Sequence, residues 1–473
     1  MADLGAIFKA YDVRGRVPEQ LDASVARRIG AAFAALVDGA GSEREAGGAA
    51  RNGAAGGSSA SRAPVVVGHD MRASSPGLAA AFAEGVRDGG RDVDFLGLTA
   101  TDELYFASGS LDAAGAMVTA SHNPAAYNGL KLCYAGAAAL SASTGLDEIR
   151  ALMDAGPAPG SAIAGRGTLR RADVLASYAS HLHELAPVRG RRLKVVVDAA
   201  NGMAGRTVPA VFAALDVELV EMYFELDGSF PNHEANPLEP ANLRDLQSAV
   251  REQRADLGLA FDGDADRCFA VDEAGNPVSP SALTALIATR ELVRHPGAHI
   301  VHNAITSRVV PETIRAHGGV PVRTPVGHSL IKAVMADVGA VFGGEHSGHY
   351  YFQDFWYADS GLLAALHLMA ALASTDRPLS DLVADFQPYR ASGEINSTVT
   401  DPSDALARVA RAYESTPGVT LDRLDGLSVV AADWWLNVRP SNTEPLLRLN
   451  VEAVDAATMA DVRDSVLTLL RSP

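Results

Sequence analysis

The stretch MVTASHNPAAYNGLK spans residues 117–131 and changes character in its middle. Its apolar start ends in small polar residues at Ser121, and an Asn-Pro pair and an Asn-Gly pair follow. This pattern predicts a strand that delivers Ser121 into a tight loop with turn residues on both sides. A serine held in such a loop is a candidate nucleophile or phosphate carrier. A surface turn whose hydroxyl caps a neighbouring amide is the alternative interpretation.

Similar strand-and-loop units lie before and after this stretch. Apolar runs predict buried strands at 64–70 (PVVVGHD), 194–198 (KVVVD), 256–261 and 298–303, with polar loops after them and helices between them. Such alternation predicts an α/β fold of three layered domains with mixed, mostly parallel sheets. In sheets of this kind, ligand-binding loops lie at the carboxyl ends of the strands.

The last region differs from the first three. A predicted helix at 403–414 is followed by a meander through Asp425-Gly426 and by strands at 434–438 and 446–451. This order predicts a small C-terminal α+β domain with an antiparallel sheet. The predicted domains of the whole chain are 1–171, 172–276, 277–388 and 389–473.

Two segments lack the periodicity of packed elements. Residues 41–63 are rich in Gly, Ala, Ser and Arg without an apolar pattern, which predicts a mobile surface insertion with no catalytic role. Residues 156–168 are rich in Gly, Pro and Ala and predict a linker.

Composition excludes several classes of function. The formal net charge of −17 argues against non-specific binding to nucleic acid or to an anionic membrane. The two cysteines, Cys133 and Cys268, provide no disulfide framework, which favours a reducing compartment. The N-terminus has no signal-peptide pattern, and the longest apolar run, 361–373, is too short to span a membrane. We therefore expect a soluble cytoplasmic protein; monomer and homodimer both stay open.

An acidic loop, DGDADR, follows the predicted strand 256–261. Asp262, Asp264 and Asp266 alternate along it, and three such carboxylates converge only if the backbone curls around a cation. An EF-hand is the rival interpretation, but Arg267 occupies the position where that loop needs glycine. The residues after the loop are also strand-like. The pattern favours Mg²⁺ over Ca²⁺, and a solvated acidic turn is the structural alternative.

Two further polar loops lie in the second half of the chain. The glycine-rich segment GGEHSGH, residues 343–349, can offer a carboxylate, a hydroxyl and an imidazole to a sugar or a phosphate. The segment RPSNTEP, residues 439–445, with Arg448 beyond it, brackets hydroxyls with arginines and suits a phosphate dianion. Each loop alone is also compatible with an ordinary surface turn.

Lysine is rare in this chain. Of 40 basic residues only four are lysine, namely Lys9, Lys131, Lys194 and Lys332. Of lysine and arginine, only lysine can release its proton near neutral pH. Lys131, ten residues after Ser121, is therefore a candidate for proton transfer. Chance is the alternative explanation for so small a sample.

Taken together, the motifs TASHNP, DGDADR, GEHSGH and RPSNTEP resemble those of the α-D-phosphohexomutase family, within it the bacterial phosphomannomutase/phosphoglucomutase branch. The resemblance extends from about Ile7 to Leu470 and excludes 41–63. It implies four domains around one central cleft, each contributing one loop. His346 favours the hexose 6-phosphate enzymes over the phosphoglucosamine mutases. Ile305 stands where some members have lysine, so the resemblance implies no lysine contact to the substrate at that position.

The resemblance also implies roles for individual residues. Ser121 would be the phosphoserine and, with Asp262, Asp264 and Asp266, a ligand of Mg²⁺. Glu345 and Ser347 would bind sugar hydroxyls, and the non-reacting phosphate of the substrate would be held by Arg439, Ser441, Asn442 and Thr443. The other positions that match the family's active site are Tyr11, Arg14, Lys131, Arg267, His328 and His349. Arg267 and the two histidines compete with Lys131 for the acid–base role.

The implied reaction is the interconversion of mannose 6-phosphate and mannose 1-phosphate through a phosphoserine enzyme and a hexose 1,6-bisphosphate, which also serves as activator. Phosphoglucomutase or dual activity is the close alternative, followed by phosphoglucosamine mutase. A hydrolase that uses the same phosphoserine and a non-catalytic sugar-phosphate sensor are the remaining classes.

Overall fold

The computed structural model describes residues 4–48, 63–156, 165–440 and 446–471, without the side chains of 40–48 and 328–329. The chain forms two compact units. The first comprises Met1–Pro277 with His349–Leu379, and the second comprises Val278–Gly348 with Ser380–Pro473. Four sheet-based regions follow one another along the chain and are described in that order; the elements of the third are divided between the two units.

The first region is built on a mixed sheet. Its strands are β1 (Val13–Arg16), β2 (Val65–His69), β3 (Val93–Leu98), β4 (Gly115–Val118), β5 (Tyr127–Tyr134), β6 (Ala138–Ala139) and β7 (Leu169–Arg171). Its helices are α1 (Leu4–Ile7), α2 (Ala23–Gly48), α3 (Ser75–Asp88), α4 (Thr101–Ser110) and α5 (Leu146–Ala155), with a 3₁₀ turn at Ala142–Thr144. The strand order is β1-β5-β4-β2-β3-β7, with β6 beside β5.

The parallel strands form the buried centre of this sheet. β2 pairs in parallel with β3 and β4, and β3 pairs in parallel with β7, whereas β1, β4 and β6 pair antiparallel with β5. Every residue of β2 and β4 is buried, as expected for strands covered on both faces. Ser121 therefore follows a central strand, as the sequence predicts.

Helical structure extends into the insertion predicted at 41–63, whose mobility and lack of a catalytic role stay predictions. Helix α2 continues to Gly48, so 41–48 are helical. The segment contains Glu, Arg and Ala, which have high helix propensity, and lengthening an existing helix needs no new nucleus. Residues 49–62 lie outside the described residues, as do 157–164 of the predicted linker.

The second region carries the acidic loop. It consists of α6 (Leu175–Leu185), β8 (Leu193–Asp198), α7 (Ala204–Phe212), β9 (Val217–Met222), a 3₁₀ turn at Pro240–Leu243, α8 (Arg244–Gln253), β10 (Leu257–Phe261), β11 (Cys268–Asp272) and β12 (Pro277–Val278). Within its sheet the order is β11-β10-β8-β9, parallel except for the β10–β11 hairpin. The DGDADR loop connects the two strands of that hairpin.

The third region supplies elements to both units. In the second unit lie α9 (Pro280–Arg294), β13 (His299–Asn303), α10 (Val309–Ala316), β14 (Val320–Thr324), α11 (His328–Val338) and β15 (Phe342–Gly344). There β13 pairs in parallel with both β14 and β15. In the first unit lie β16 (Tyr350–Phe352), a 3₁₀ turn at Gln353–Phe355 and the fully buried α12 (Gly361–Ala373), and α13 (Leu379–Ala384) follows.

The C-terminal region is antiparallel throughout. It comprises β17 (Arg390–Ser397), α14 (Pro402–Tyr413), β18 (Thr420–Asp422), β19 (Leu427–Val430), β20 (Trp434–Pro440), β21 (Leu447–Ala453) and α15 (Ala456–Arg471), with the strand order β17-β21-β20-β19-β18. The two helices share one apolar core with the sheet.

The predicted fold class is confirmed: three α/β regions with mixed, mostly parallel sheets precede an α+β region with an antiparallel sheet. The four domain boundaries stay predictions. No helix in the described part of the chain combines the length and the apolar character needed to cross a bilayer.

Candidate active site

The serine loop follows β4 in the first unit. Ser121 is buried, and its φ of +49° lies in the left-handed region that non-glycine residues seldom adopt. Its amide donates to Thr119 Oγ1 at 2.9 Å. The local bonds therefore hold a strained serine in a fixed position, which is typical of functional loops rather than of surface turns.

Arg72 organises this loop, and the sequence analysis did not assign it. Its guanidinium is buried and donates to four backbone carbonyl oxygens of the loop, at 2.6–3.1 Å: those of Ser121, Asn123, Pro124 and Tyr127. Arg72 lies in the polar turn after β2, and β2 is the neighbour of β4 in the sheet. The sequence showed this turn, but the contact depends on the strand order.

The Arg72 guanidinium is held from two other sides. Its Nε lies 3.3 Å from Asp70 Oδ2, and the ring of Phe230 lies 5.0 Å from its guanidinium carbon. Burial lowers the pKa of Arg72, an effect that Asp70 opposes. An arginine with so many fixed contacts provides rigid support for the serine loop.

Arg14, predicted to line the site, also contacts the serine loop. It donates to Asn123 Oδ1 at 2.7 Å and to the carbonyl oxygen of Ala120, while its Nε donates to Asp12 Oδ2 at 2.9 Å. The pairing of β1 with β5 places it there. Tyr11, three residues earlier, is half-buried.

The acidic loop lies against the serine loop. Ser121 Oγ donates to Asp262 Oδ2 at 2.5 Å. The two backbones approach so closely that a Cβ on Gly263 would lie 2.5 Å from the carbonyl oxygen of Ser121. Glycine is therefore required at position 263.

The three aspartates converge as predicted. Asp262, Asp264 and Asp266 are buried, and one carboxylate oxygen from each lies within 4.8 Å of the other two. Ala265, with φ +64°, supplies the left-handed turn that curls the loop. The EF-hand alternative is wrong, because β11 and not a helix follows the loop.

Lys131 contacts two of these carboxylates. Its Nζ donates to Asp264 Oδ2 at 2.7 Å and to Asp266 Oδ2 at 2.5 Å. Burial alone would lower the pKa of Lys131, but the two carboxylates outweigh it and raise that pKa well above its ordinary value. In this arrangement Lys131 is an ammonium, which can donate a proton but cannot accept one.

The donor set fits a divalent cation. Burial and the charge of Asp264 raise the pKa of Asp266 to about 7, so the carboxylates are short of positive charge even with Lys131 beside them. Burial would raise the pKa of Asp264 as well, but Lys131 and Thr101 hold it below its usual range. Oδ1 of Asp264 and Oδ1 of Asp266 are buried and have no hydrogen-bond partner among the described residues. Carboxylate oxygens of this kind are the ligands that Mg²⁺ prefers.

Arg267 and His349 lie next to the carboxylates. Arg267 Nε donates to Asp262 Oδ2 at 2.9 Å. The backbones of Arg267 and His349 pair in an isolated antiparallel β-bridge. His349 Nδ1 lies 2.8 Å from Asp359 Oδ2. Burial would lower the pKa of His349, but Asp266 and Asp359 outweigh it and raise that pKa above its ordinary value. Asp359, which the sequence analysis missed, therefore orients this imidazole and, together with Asp266, favours its protonated form.

The second unit contains the predicted sugar loop. Glu345 is buried just after β15 and accepts a hydrogen bond from Asn303 Nδ2 at 3.0 Å. Asn303 is itself fixed, because Thr306 Oγ1 donates to its Oδ1 at 2.8 Å. Ser347 is half-buried two residues beyond Glu345. Two strand ends of one parallel sheet thus meet at this loop.

Glu394 pairs with both arginines of the predicted phosphate loop. Arg439 Nη2 donates to Glu394 Oε2 at 2.9 Å, and Arg448 Nη1 donates to Glu394 Oε1 at 3.0 Å. The antiparallel β17, β20 and β21 place these side chains together. Burial lowers the pKa of His346, with Arg439 adding to the effect and Glu394 opposing it. Ser441, Asn442 and Thr443 lie outside the described residues, as does the side chain of His328.

Four family models match successive parts of the chain. Residues 5–158, 176–275 and 279–389 match the alpha/beta/alpha domains I, II and III of phosphoglucomutase/phosphomannomutase, and 394–469 match its C-terminal domain. The chain belongs to the phosphoglucomutase/phosphomannomutase family. It is therefore a phosphohexomutase, an isomerase-type phosphotransferase.

Individual relatives of this phosphohexomutase match along its whole length. A protein of Xanthomonas campestris pv. campestris named as phosphohexose mutases is 42% identical, over 98% of this chain and 99% of its own. A phosphomannomutase of Salmonella montevideo is 39% identical over the same shares. The crystal structure of a phosphoglucomutase/phosphomannomutase family protein from Burkholderia thailandensis has a TM-score of 0.86 at 33% identity, covering 100% of this chain and 98% of its own.

A more distant structure shares the fold alone. The N-acetylphosphoglucosamine mutase of Aspergillus fumigatus, solved with GlcNAc-6P and magnesium, is 15% identical with a TM-score of 0.54, over 78% of this phosphohexomutase and 93% of its own chain.

Proposed function

We propose that this phosphohexomutase interconverts mannose 6-phosphate and mannose 1-phosphate through a phosphoserine at position 121. The observation that carries the proposal is the 2.5 Å hydrogen bond from Ser121 Oγ to Asp262 within the acidic triad. A nucleophilic oxygen beside three carboxylates suits phosphoryl transfer when a cation is bound to them. Several relatives named phosphomannomutase support mannose as the sugar.

The proposed cycle uses the serine as a reservoir. Phosphorylated Ser121 gives its phosphoryl group to the O1 hydroxyl of mannose 6-phosphate, and a hexose 1,6-bisphosphate forms. The bisphosphate then turns end for end and returns its 6-phosphate to Ser121. Burial of Ser121 limits access of water, which would otherwise hydrolyse the phosphoserine. Added hexose 1,6-bisphosphate activates the enzyme by reloading the serine.

We assign Mg²⁺ to Asp262, Asp264 and Asp266, with an oxygen of phosphorylated Ser121 as a further ligand. When bound, the ion would neutralise charge on the transferring group. The remaining roles are assigned to this chain's side chains. Glu345 and Ser347 bind sugar hydroxyls; Tyr11 and Arg14 line the site; Arg439, Ser441, Asn442, Thr443 and Arg448 hold the distal phosphate.

The proposed proton carriers are Lys131 and, as alternatives, three other side chains. Lys131 is the proposed general acid: its ammonium protonates Ser121 Oγ as the phosphoryl group leaves, and the amine so formed takes the proton that the O1 hydroxyl of the sugar loses. His349, paired with Asp359, is the proposed alternative proton carrier, together with Arg267 and His328. Mannose specificity and the proton carriers can be tested separately.

The substrate is tested with steady-state kinetics on the 6-phosphates of mannose, glucose and glucosamine, each with a hexose 1,6-bisphosphate and Mg²⁺. We expect the highest kcat/KM for mannose 6-phosphate. One molecule of the 1-phosphate should form for each molecule of the 6-phosphate consumed. Equal or higher kcat/KM for glucose 6-phosphate would instead establish the dual or phosphoglucomutase alternative, which the Xanthomonas relative's general name also supports. Release of inorganic phosphate at the rate of turnover would establish a hydrolase.

The acid role of Lys131 is tested by Lys131→Arg, which keeps the charge but not a transferable proton. We expect kcat to fall by about 10²-fold or more, because general acid catalysis contributes factors of this size. KM should change little, since the charge beside Asp264 and Asp266 persists. Lys194→Arg, at a surface pair with Glu218, is the matched control. A kcat of Lys131→Arg within threefold of the wild type would exclude the role.

A further inference from the structure

Thr101 contacts Asp264 at two points. This threonine is the first residue of α4 and is fully buried. Its amide donates to the backbone oxygen of Asp264 at 3.0 Å, and its Oγ1 donates to Asp264 Oδ2 at 2.6 Å. Ala100, before the helix, provides no side-chain cap. The backbone oxygen of Asp264 therefore accepts from the Thr101 amide, one of the amides at the start of a helix that have no partner within it.

The two oxygens of Asp264 therefore differ. Oδ2 accepts hydrogen bonds from both Thr101 Oγ1 and Lys131 Nζ, whereas Oδ1 is buried and has no partner in the described ranges of the chain. One oxygen is occupied by donors and the other is available to a cation. A carboxylate restricted in this way suits a monodentate ligand.

The helix that carries Thr101 is held firmly. The next residue, Asp102, is fully buried and accepts hydrogen bonds from Tyr178 Oη at 2.6 Å and Ser360 Oγ at 2.7 Å. Ser360 also caps α12 by accepting from the amide of Leu363. Gly361, which follows, packs so tightly that a Cβ there would lie 2.7 Å from the carbonyl oxygen of Ala265. The N-terminal ends of α4 and α12 thus fix the acidic loop together.

We propose that Thr101 is a positioning residue that makes Asp264 a monodentate ligand and thereby selects Mg²⁺ over Ca²⁺. Mg²⁺ requires near-ideal octahedral geometry at short distances, whereas Ca²⁺ accepts more oxygens and bidentate carboxylates. Loss of the Thr101 hydroxyl would leave Oδ2 with its hydrogen bond from Lys131 but without the one from Thr101, which would relax this restriction. The inference rests on the proposed assignment of a cation to the three aspartates.

The test measures Mg²⁺ and Ca²⁺ dissociation constants by calorimetry, without substrate, for the wild type, Thr101→Val and Thr101→Ser. Valine keeps the shape without the hydroxyl, so we expect Mg²⁺ affinity to fall by about 10-fold or more. Ca²⁺ affinity should fall less, which lowers the preference for Mg²⁺. Serine keeps the hydroxyl donor, so both metal affinities should stay within about threefold of the wild type. This change is smaller than the one expected when a residue that hydrogen-bonds a metal ligand is lost.

Thr207→Val is the matched control, because Thr207 is a buried helical threonine of the same unit whose hydroxyl donates to the Met203 carbonyl. Its metal preference should equal that of the wild type. An unchanged ratio of Mg²⁺ to Ca²⁺ affinity in Thr101→Val overturns the inference but leaves the assigned cation site intact. An equal loss of preference in Thr101→Ser also overturns it, since packing rather than the hydrogen bond would then be responsible. Failure of the wild type to bind Mg²⁺ overturns the cation site itself and the inference with it.

Discussion

Replacing Ser121 by alanine is expected to lower the rate of isomerisation by at least about 10³-fold, as expected when a covalent nucleophile is removed. The Ser121 oxygen lies 2.5 Å from an aspartate of the acidic triad, and Arg72 donates to the Ser121 backbone carbonyl and so fixes the backbone that carries it. Binding of mannose 6-phosphate should persist, because the residues assigned to the sugar and the distal phosphate are unchanged.

Alanine is a better probe than glycine at this position. The φ of +49° costs alanine and serine similar amounts, of order 1–2 kcal/mol, whereas glycine would relieve the strain and free the loop. Ser121→Ala therefore removes the oxygen while leaving the backbone preference unchanged. A loss of activity in this variant reports on the chemistry rather than on a rearranged loop.

Two measurements check the expected result. Radiolabelled hexose 1,6-bisphosphate should label the wild type on Ser121 and leave Ser121→Ala unlabelled, while calorimetry should show sugar phosphate binding to both proteins. Ser180→Ala, at an exposed helical serine, is the matched control and should be labelled and active like the wild type. Labelling or isomerisation by Ser121→Ala at wild-type levels would rule out the serine as phosphoryl carrier.

The main elements of the fold were predictable because their signals are local. The apolar runs before Asp70, Asp198 and Asp262 are buried strands in the structure, and a polar loop follows each, as predicted. The convergence of three aspartates at alternate positions was also predictable, since one curled loop contains them all. Where a single short segment determines the geometry, the sequence pattern is sufficient.

The supporting residues were not predictable in the same way. Arg72, Thr101 and Glu394 each act on a residue at least 45 positions away, and the pairing depends on which strands and helices become neighbours. Asp359 lies only ten residues after His349, but no pattern in that segment marks it as the partner of the imidazole. No local pattern encodes the strand order β1-β5-β4-β2-β3-β7 that places Arg72 beneath the serine loop. The helix at 41–48 was not predicted for the opposite reason, because helix propensity continued where apolar periodicity stopped.

Arg72 gives the second large expected effect. Replacement by methionine, which is uncharged and of similar length, is expected to lower kcat/KM by about 10²-fold or more, because a displacement of the nucleophile of even 1 Å carries such a cost. The four loop carbonyls would lose their donor. The free energy of unfolding should also fall by about 3–5 kcal/mol, the usual consequence of leaving one partner of a buried ion pair alone.

Asp70 allows the two effects of this change to be separated. Burial already raises the pKa of Asp70, and Arg72 opposes that rise, so the single variant leaves a carboxyl without its counter-charge. Adding Asp70→Asn to Arg72→Met should recover part of the lost stability, measured by urea unfolding. It should not recover kcat/KM, because the loop carbonyls still have no guanidinium to accept from.

Arg91→Met is the matched control for stability. Arg91 is a buried arginine of the same region that donates to Asp38 Oδ1 at 2.6 Å and to the carbonyl of Ala63 at 2.7 Å, with no hydrogen bond to the serine loop. Its replacement should destabilise the fold by a comparable amount while the folded enzyme keeps its kcat/KM. If Arg72→Met, corrected for the folded fraction, also stays within threefold of the wild type, then Arg72 stabilises the fold without positioning Ser121. If Arg72→Met loses kcat/KM and Arg91→Met does not, then the position of the serine, and not only its hydroxyl, determines the rate.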